Sequence, residues 1–289
     1  MLIKSIVRSN LPRRLFSYST LHRRPMSTFT LNKDLFNASL YSNLRNVWFE
    51  GWEPNDQEFR GDVVKKWFLG TPEEKLAFDT TCRENFAPAL DSIGPDKFPN
   101  PTAEPFLREI QDAVQNSPAN EAAEAARTAL SLVLLLDQIP RNIFRTDDGL
   151  VKVYTHYDKI AYSLMTALMA SDSPLPRPDL HPQWRKSGAY RMWFYLPFIH
   201  TEDTKEHDRV DEILATFKTE IDKEDGHEAT RIFLQKSQES GKEHRDILDR
   251  FGRYPHRNTP LGRASTDEEK RFLAEGGATF GVGQQKKGM

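Results

Sequence analysis

The chain has 289 residues, of which 38% are hydrophobic and 28% charged, and its formal net charge is −2 at pH 7. This composition supports a buried core under a strongly hydrated surface, with a mean hydropathy of −0.65. The longest apolar run, residues 130–136, is far shorter than the ~20 residues of a membrane-spanning helix, so we predict a soluble chain with no membrane span. The single cysteine, Cys82, excludes an internal disulfide and a cysteine-based zinc site.

The N-terminal segment differs in composition from the rest of the chain. Residues 1–33 contain no Asp or Glu but seven Lys or Arg, mixed with serine and apolar residues. Such a composition is typical of a mitochondrial transit peptide, so we expect residues 1–34 to be a targeting segment that directs the protein to the mitochondrial matrix. The alternative is an untargeted disordered tail. A second start at Met26 would give a cytosolic form that lacks six of these basic residues, and the acidic remainder argues against nucleic-acid binding.

Helical periodicity dominates residues 35–275, which we predict to form one all-α domain. Apolar residues recur there at the three- and four-residue spacing of a buried helix face, and we find no alternating apolar and polar run of strand length. We therefore predict antiparallel helix pairs with short connections, in a tetratricopeptide-like packing. The predicted helices include residues 35–52, 104–115, 119–138, 151–170, 184–198, 202–222 and 230–248.

Two threonines are predicted to begin further helices. Thr71 and Thr266 are each followed three residues later by a glutamate, which is the pattern of a capping box. Pro72 also suits the first position of a helix, and this helix is predicted to reach Pro88. The glycine-rich residues 276–289 are predicted to be a disordered tail.

The first candidate site follows the most apolar of the predicted helices. Asp137 ends that helix, and Pro140 is expected to redirect the chain. If a helix resumes there, Arg141 and Arg145 lie one turn apart on the same side, with Asn142 between them. These four polar residues are candidates for ligand binding. The structural alternative is that Asp137 caps the helix after Pro140 and pairs with Arg141.

The second candidate site is the segment 195–203. His200 is a candidate general base or metal ligand because the carboxylates of Glu202 and Asp203 are close to it in sequence. In the structural alternative, Thr201 is the N-cap of the next helix and both carboxylates lie in its first turn, where negative charge suits the helix dipole. Capping does not account for His200, so we take it as a candidate catalytic residue and the two carboxylates as candidate ligand-binding residues.

The third candidate site is the arginine-rich segment 244–263, which also contains two glycines and two prolines. Glycine and proline fix a particular backbone path, and arginine suits two-pronged binding of a carboxylate or phosphate. The alternative is an internal network of ion pairs, which is costly to desolvate. His256 is a second candidate catalytic residue, and the candidate ligand-binding residues are His244, Arg253, Arg257 and Asn258.

Several standard motifs are absent from the sequence. It contains no phosphate loop, dinucleotide-binding fingerprint, HExxH helix, EF-hand loop or GxSxG elbow. A metal held by three histidines and Asp203 is chemically conceivable, but no short ligand spacing supports it. We therefore predict no metal site and leave the cofactor open.

These polar segments, taken in order, resemble the DUF924 family, a group without an assigned activity. The resemblance covers about residues 41–274 and implies a tetratricopeptide-like all-α fold. The chain has Ile139 and Tyr254 where the family usually has phenylalanine, and Thr201 where it usually has serine. The family supplies no catalytic role to carry over. The matching strings are residues 47–49 (VWF), 134–142 (LLLDQIPRN), 195–203 (YLPFIHTED), 244–246 (HRD), 250–258 (RFGRYPHRN) and 261–263 (LGR).

Our leading hypothesis is that the three polar segments converge on one pocket for a small anionic ligand. His200 or His256 would supply acid–base catalysis there. The convergence is inferred because each polar segment lies at a helix end in a compact helical packing. The competing hypothesis is a helical-repeat interaction module, in which the arginine segment clamps an acidic peptide or only braces the fold. The sequence favours no particular reaction and no oligomeric state.

Overall fold

The computed structural model describes residues 28–116 and 122–280 of the chain. All regular structure within these residues is helical, which confirms the predicted all-α class. Most of the predicted targeting segment, residues 1–27, lies outside the described residues. The α-helices are α1 (Ala38–Phe49), α2 (Gly61–Val64), α3 (Pro72–Ser92), α4 (Glu104–Asn116), α5 (Ala123–Val133), α6 (Ile139–Ile143), α7 (Asp147–Lys152), α8 (Asp158–Leu168), α9 (Gly188–Arg191), α10 (Leu196–Ile199), α11 (Thr204–Ile221), α12 (Glu228–Phe251) and α13 (Asp267–Ala274).

The described residues at both ends contact the helical body. Phe29 stacks on Phe98 with 4.2 Å between the ring centroids. At the other end, Phe280 stacks on His244 with 3.6 Å between the centroids. Residues 28–34 and 276–280, which we assigned to the flanking segments, thus include side chains that pack on the domain, whereas residues 281–289 of the predicted tail lie outside the described part of the chain.

The two predicted capping boxes are confirmed. Thr71 accepts a hydrogen bond from the Glu74 backbone N–H at 3.2 Å, and the Glu74 side chain accepts one from the Thr71 N–H at 2.8 Å. Thr266 begins α13 in the same way. Helix α3 runs through Pro88 to Ser92, because its buried face continues past the proline and outweighs the one backbone hydrogen bond that proline removes.

In the described part of the chain, three helical runs contain a π turn, in which backbone hydrogen bonds span five residues. These turns are Lys65–Leu69 after α2, Leu134–Gln138 between α5 and α6, and Val153–Tyr157 between α7 and α8. The second turn explains why Pro140 does not redirect the chain. The helix widens just before the proline ring, with the Ile139 N–H bonded to the Leu134 carbonyl, and continues to Ile143.

The prediction of one helix over residues 184–198 is wrong. This segment forms α9, a 3-10 turn at Met192–Phe194 and α10. Gly188 in α9 lies so close to α12 that a Cβ there would come within 2.7 Å of the Phe233 Cβ. Close packing against α12 therefore sets the path of this segment.

The core surrounds α5, whose residues from Ala125 through the π turn are almost all buried. All five tryptophans lie in or against the core, and two of them, Trp48 and Trp193, have ring centroids 5.1 Å apart. A smaller apolar cluster joins the end of α12 to α13. Among residues 28–116 and 122–280, no helix has the length and hydropathy to cross a membrane. The tetratricopeptide-like arrangement stays a prediction.

Candidate functional site

Asp137 and His200 form a hydrogen-bonded pair between the second π turn and the end of α10. His200 Nδ1 lies 2.8 Å from Asp137 Oδ1, and only 1% of the Asp137 side chain is exposed. Burial raises the pKa of Asp137, but its interactions with His200 and with the positive charge of Arg141, together with hydrogen bonds from His200 and Gln138, outweigh burial, so the pKa is lowered. An ionised carboxylate at this position accepts a hydrogen bond from the His200 Nδ1–H, so the neutral imidazole has its lone pair on Nε2.

Arg141 links the Asp137–His200 pair to Asp158 of α8. Its Nη1 donates to the Asp137 backbone oxygen at 2.6 Å, and its guanidinium forms a two-pronged ion pair with Asp158, at 2.7 and 3.0 Å. Burial lowers the pKa of His200, the Arg141 charge lowers it further, and Asp137 opposes both. The net lowering favours the neutral imidazole.

Arg257 is buried, with 8% of the residue exposed, and differs from the other arginines of its segment. Within the described residues, no carboxylate oxygen lies within 4.0 Å of its guanidinium. Its Nη1 donates to the His200 backbone oxygen at 2.8 Å, and its Nε has no hydrogen-bond partner. The guanidinium lies over the rings of Tyr154 and Tyr254, at 4.7 and 4.6 Å from their centroids. It forms no ion pair with the described residues, although Glu202 is close enough that the pKa of its carboxyl, which burial raises, is lowered by Arg263 and also by the Arg257 charge.

Two further groups without partners lie beside Arg257. The hydroxyl of Tyr154 and Nδ1 of His256 are buried and make no hydrogen bond within the described part of the chain. Their rings are 6.4 Å apart, edge to face. Burial and the neighbouring Arg257 charge lower the pKa of His256 to about 3. We call the set Asp137, Arg141, Tyr154, His200, His256 and Arg257 the Arg257 cluster.

His244 lies behind the Arg257 cluster and serves packing. Its ring is stacked on Phe280 and meets Tyr254 edge to face, while its Nδ1 is bonded to the Ser240 backbone oxygen at 2.8 Å. Burial lowers the pKa of His244 to about 3. His207, which sequence analysis did not single out, also contacts Tyr254, with its Nε2 3.3 Å from the Tyr254 hydroxyl.

Glu202 and Asp203 have different structural roles from those we predicted. Asp203, not Thr201, is the N-cap of α11 and accepts a hydrogen bond from the Lys205 N–H at 3.0 Å. Glu202 lies outside the helix, where it accepts two hydrogen bonds from Arg263, at 2.7 and 3.0 Å, and one from the Tyr254 N–H. The helix starts later than predicted because the Asp203 side chain takes the cap.

The other arginines of segment 244–263 form ion pairs. Arg253 binds Glu269 with two hydrogen bonds, at 2.7 and 2.9 Å. Arg245 pairs with Asp208 and Asp249, and Arg250 pairs with Glu268. These three arginines, and Arg263 with its partner Glu202, therefore fit the alternative in which the segment forms ion pairs within the protein. Asn258, also buried, donates to Ser265 Oγ at 3.1 Å and lies with Arg253 on the α13 side of the segment.

Asn142 and Arg145 belong to a separate group around Asp79 of α3. Arg145 donates to both carboxylate oxygens of Asp79, and Asn142 Nδ2 donates to Oδ1 at 2.9 Å. We call these three residues the Asp79 cluster. The structure therefore does not bring Asn142, Arg145, Asp203 or Arg253 to Arg257, whereas Asp137, Arg141, His200 and His256 do converge there.

Sequence analysis did not name Tyr154 of the Arg257 cluster as a site residue, nor Asp158, which pairs with Arg141 beside it. Both lie in the predicted helix 151–170, four residues apart and therefore on one face. A tyrosine and an aspartate on one helical face are a common pattern, so the sequence alone gave no reason to assign them to a site. Only their position near Arg141 in the fold does so. As for metals, no group of three or more His, Cys, Asp or Glu side chains within residues 28–116 and 122–280 could hold an ion.

Comparison with solved structures, curated proteins and family models shows what this chain is similar to. A solved structure of a protein of unknown function, ATU0120 from Agrobacterium tumefaciens, is 26% identical over 83% of this chain and 99% of that chain, with a TM-score of 0.47. No curated protein matches the chain. The family model described as "Bacterial protein of unknown function (DUF924)" matches residues 44–277. The chain therefore belongs to the DUF924 family.

Proposed function

We propose that this protein binds a small anion at Arg257, next to an Asp137–His200 pair that acts as a general acid or base. The observation that carries the proposal is the buried guanidinium without a carboxylate partner. A buried charge is normally paired, because removing it from water is costly. An anionic ligand would supply the missing charge.

The groups around Arg257 suit such a ligand. Arg257 Nε and the Tyr154 hydroxyl are donors without an acceptor, and Nδ1 of His256 lacks a partner as well. Buried polar atoms are rarely left without a hydrogen bond, and an ion is one standard explanation. A phosphate or carboxylate could accept from the guanidinium and the hydroxyl together.

The Asp137–His200 pair gives the site a group that can transfer a proton. Because Nδ1–H donates its hydrogen bond to Asp137, the neutral imidazole has its lone pair on Nε2. This Nε2 makes no hydrogen bond within the described residues. The Arg257 Nη1 bond to the His200 backbone oxygen fixes the two residues side by side. A ligand held by Arg257 would thus be near a histidine whose lowered pKa favours the base form.

Calorimetric titration with inorganic phosphate tests the binding. We expect Arg257→Met to weaken phosphate binding by about tenfold or more, because a charge-assisted contact is lost. Arg253→Met is the matched control, since it removes a guanidinium of the same segment that is already paired with Glu269. Equal affinity in all three proteins, or no binding to the wild type, would overturn the proposal.

Proton transfer is tested separately with His200→Gln. We expect this variant to keep phosphate binding but to lose turnover of those phosphate or carboxylate esters that the wild-type protein hydrolyses in a substrate panel. Turnover by His200→Gln at the wild-type rate would remove the acid–base role and leave the anion site in place.

The mitochondrial localisation is also a proposal, and it rests on the composition of residues 1–34. A fluorescent protein fused after residue 34 should enter mitochondria, and the same fusion that starts at Met26 should stay in the cytosol. Cytosolic fluorescence from both fusions would contradict it.

A further inference from the structure

An apolar groove lies on the molecule apart from the Arg257 cluster. Its volume is about 440 Å³, and it runs between the first π turn, α10, α11 and α12. Its apolar lining includes Phe68 and Leu69 from the π turn, Met192, Leu214 of α11 and Phe233 of α12. Apart from a few polar groups on α12, the groove is lined by apolar side chains.

The rim of the groove exposes large apolar side chains. Phe68 is 43% exposed and Leu69 72% exposed, although both follow the core residue Val63 within one short helical run. The Phe68 ring lies parallel to the buried Trp193 ring, with centroids 5.9 Å apart. Exposed aromatic and aliphatic surface that borders a concave apolar site is the usual mark of a ligand groove.

Gly241 supplies a second, independent observation. It lies in the middle of the 24-residue helix α12 and lines the groove. A Cβ at this position would meet only Asp211 Oδ1, at an ordinary 3.7 Å, so packing within the chain does not require glycine. Glycine inside a helix is less stable than alanine. Gly241 is buried and lines the groove, so the space left by its missing side chain adjoins the groove and is not filled by this chain.

Size and charge decide what fits the groove. A stable protein partner needs about 20–30 residues a side, whereas 16 residues line this groove and its volume lies in the range of about 300–1,000 Å³ of small-molecule sites. The two charged side chains of the lining, Lys236 and Glu243, have opposite signs. The groove therefore has no net charge with which to select an ion.

We propose that this groove binds an uncharged, largely apolar small molecule with an aromatic ring, which packs between Phe68 and Phe233 and over Gly241. Aromatic rings pair favourably with other rings in offset or edge-to-face contact. This ligand site is separate from the anion site and does not depend on it.

The probe for the test is N-phenyl-1-naphthylamine, an uncharged aromatic dye whose fluorescence rises in an apolar site. We expect saturable binding of one dye per chain. Gly241→Leu should weaken binding by about tenfold or more, a change of ~1.4 kcal/mol, because the leucine side chain occupies the groove. Gln238→Leu is the matched control, since it adds the same side chain to an exposed position of α12 outside the groove.

Two further measurements keep the test decisive. Gly241→Ala should leave the melting temperature unchanged or raise it, whereas a lowered melting temperature would show that the glycine serves packing and would overturn the proposal. Ser237→Phe fills the groove from another position and should also weaken dye binding if Gly241→Leu does not fold. Wild-type affinity in a folded groove-filling variant would overturn the proposal, as would a concentration-dependent dimer that excludes the dye.

Phosphate titration of the same variants separates the two proposals. Gly241→Leu should bind inorganic phosphate with the affinity of the wild type, because Gly241 does not contact the Arg257 cluster. Loss of dye binding with unchanged phosphate binding would support the groove alone, and a variant that loses both would contradict the independence of the two sites.

Discussion

The Asp79 cluster and the Arg257 cluster contain the same kinds of side chain but balance charge differently. In the Asp79 cluster, one carboxylate accepts hydrogen bonds from Arg145 and Asn142, and the charges cancel. Around the Arg257 cluster, Asp137 and Asp158 are already engaged by His200 and Arg141, and Glu202 by Arg263, so Arg257 is left without an ion pair of its own in the described part of the chain. One short stretch of sequence contributes to both clusters. Arg141 belongs to the Arg257 cluster, whereas Asn142 and Arg145 belong to the Asp79 cluster.

This difference distinguishes a cluster of ion pairs that stabilises the fold from a candidate binding site. Arginine-rich segments attract attention by the number of charges, yet four of the five arginines in segment 244–263 are paired within the protein. The informative quantity is the charge that stays unpaired after all internal partners are counted. Three experiments test whether that distinction has the expected energetic consequences.

The largest effect is expected from Asp79→Ala, which removes the central acceptor of the Asp79 cluster. Arg145 and Asn142 are partly buried and would lose the carboxylate that accepts their hydrogen bonds, and removing one member of a buried ion pair costs about 3 kcal/mol or more. Urea unfolding should show this loss, while phosphate binding at Arg257 should not change. Asp148→Ala, at an exposed position of α7, is the control and should change stability by less than about 0.5 kcal/mol.

An intermediate effect is expected from acid. His244 and His256 have their pKa lowered to about 3 in the folded protein, whereas an unfolded histidine titrates near 6.5. The unfolded state therefore binds more protons between pH 6.5 and 3. The stability that the neutral histidines contribute is complete above pH 6.5 and is lost as the pH falls, by about 1.4 kcal/mol per pH unit for each histidine.

Urea titrations at pH 7.5, 6.5 and 5.5 would measure this slope. His256→Phe should remove one histidine's share of it and leave the share of His244. A free energy of unfolding that stays constant from pH 7.5 to 5.5 in the wild type would contradict the burial of both rings.

The smallest effect on stability is expected from Arg257→Met. This change removes a buried charge that has no counter-ion and replaces it with an apolar chain of similar length. We expect the free energy of unfolding to change by no more than about 1 kcal/mol, in either direction. A loss as large as that of Asp79→Ala would show that Arg257 braces the fold, and would favour the structural alternative over an anion site.

The sequence predicted local features best. Thr71 and Thr266 begin helices as expected, because a capping box depends only on residues three positions apart. The start of α11 was misplaced, because Thr201 and Asp203 are both good caps and tertiary contacts of Glu202 decide between them. The breaks in segment 184–198 depend on the approach of α12, which no local pattern encodes.

For the candidate site, sequence analysis found the residue types but not their partners. Asp137, His200 and Arg257 were named, and they are neighbours in the structure. Asp158, Asp79 and Glu269 decide which arginines are neutralised, yet each is an ordinary acidic residue of a helix. Their effect arises from contacts between residues 16 to 66 positions apart, so only the folded chain reveals it.

The π turns have a consequence for how these sites respond to changes in chain length. One turn carries Asp137, another carries Tyr154, and the third carries Phe68 of the apolar groove. Each turn contains one residue more than an α-helical turn would need. Because the wide turn accommodates the extra residue locally, deleting one residue there would restore an ordinary helical turn with its flanks still in phase but would displace the side chains that the turn carries. Both candidate sites therefore depend on single-residue insertions that leave the helical phase of the core intact.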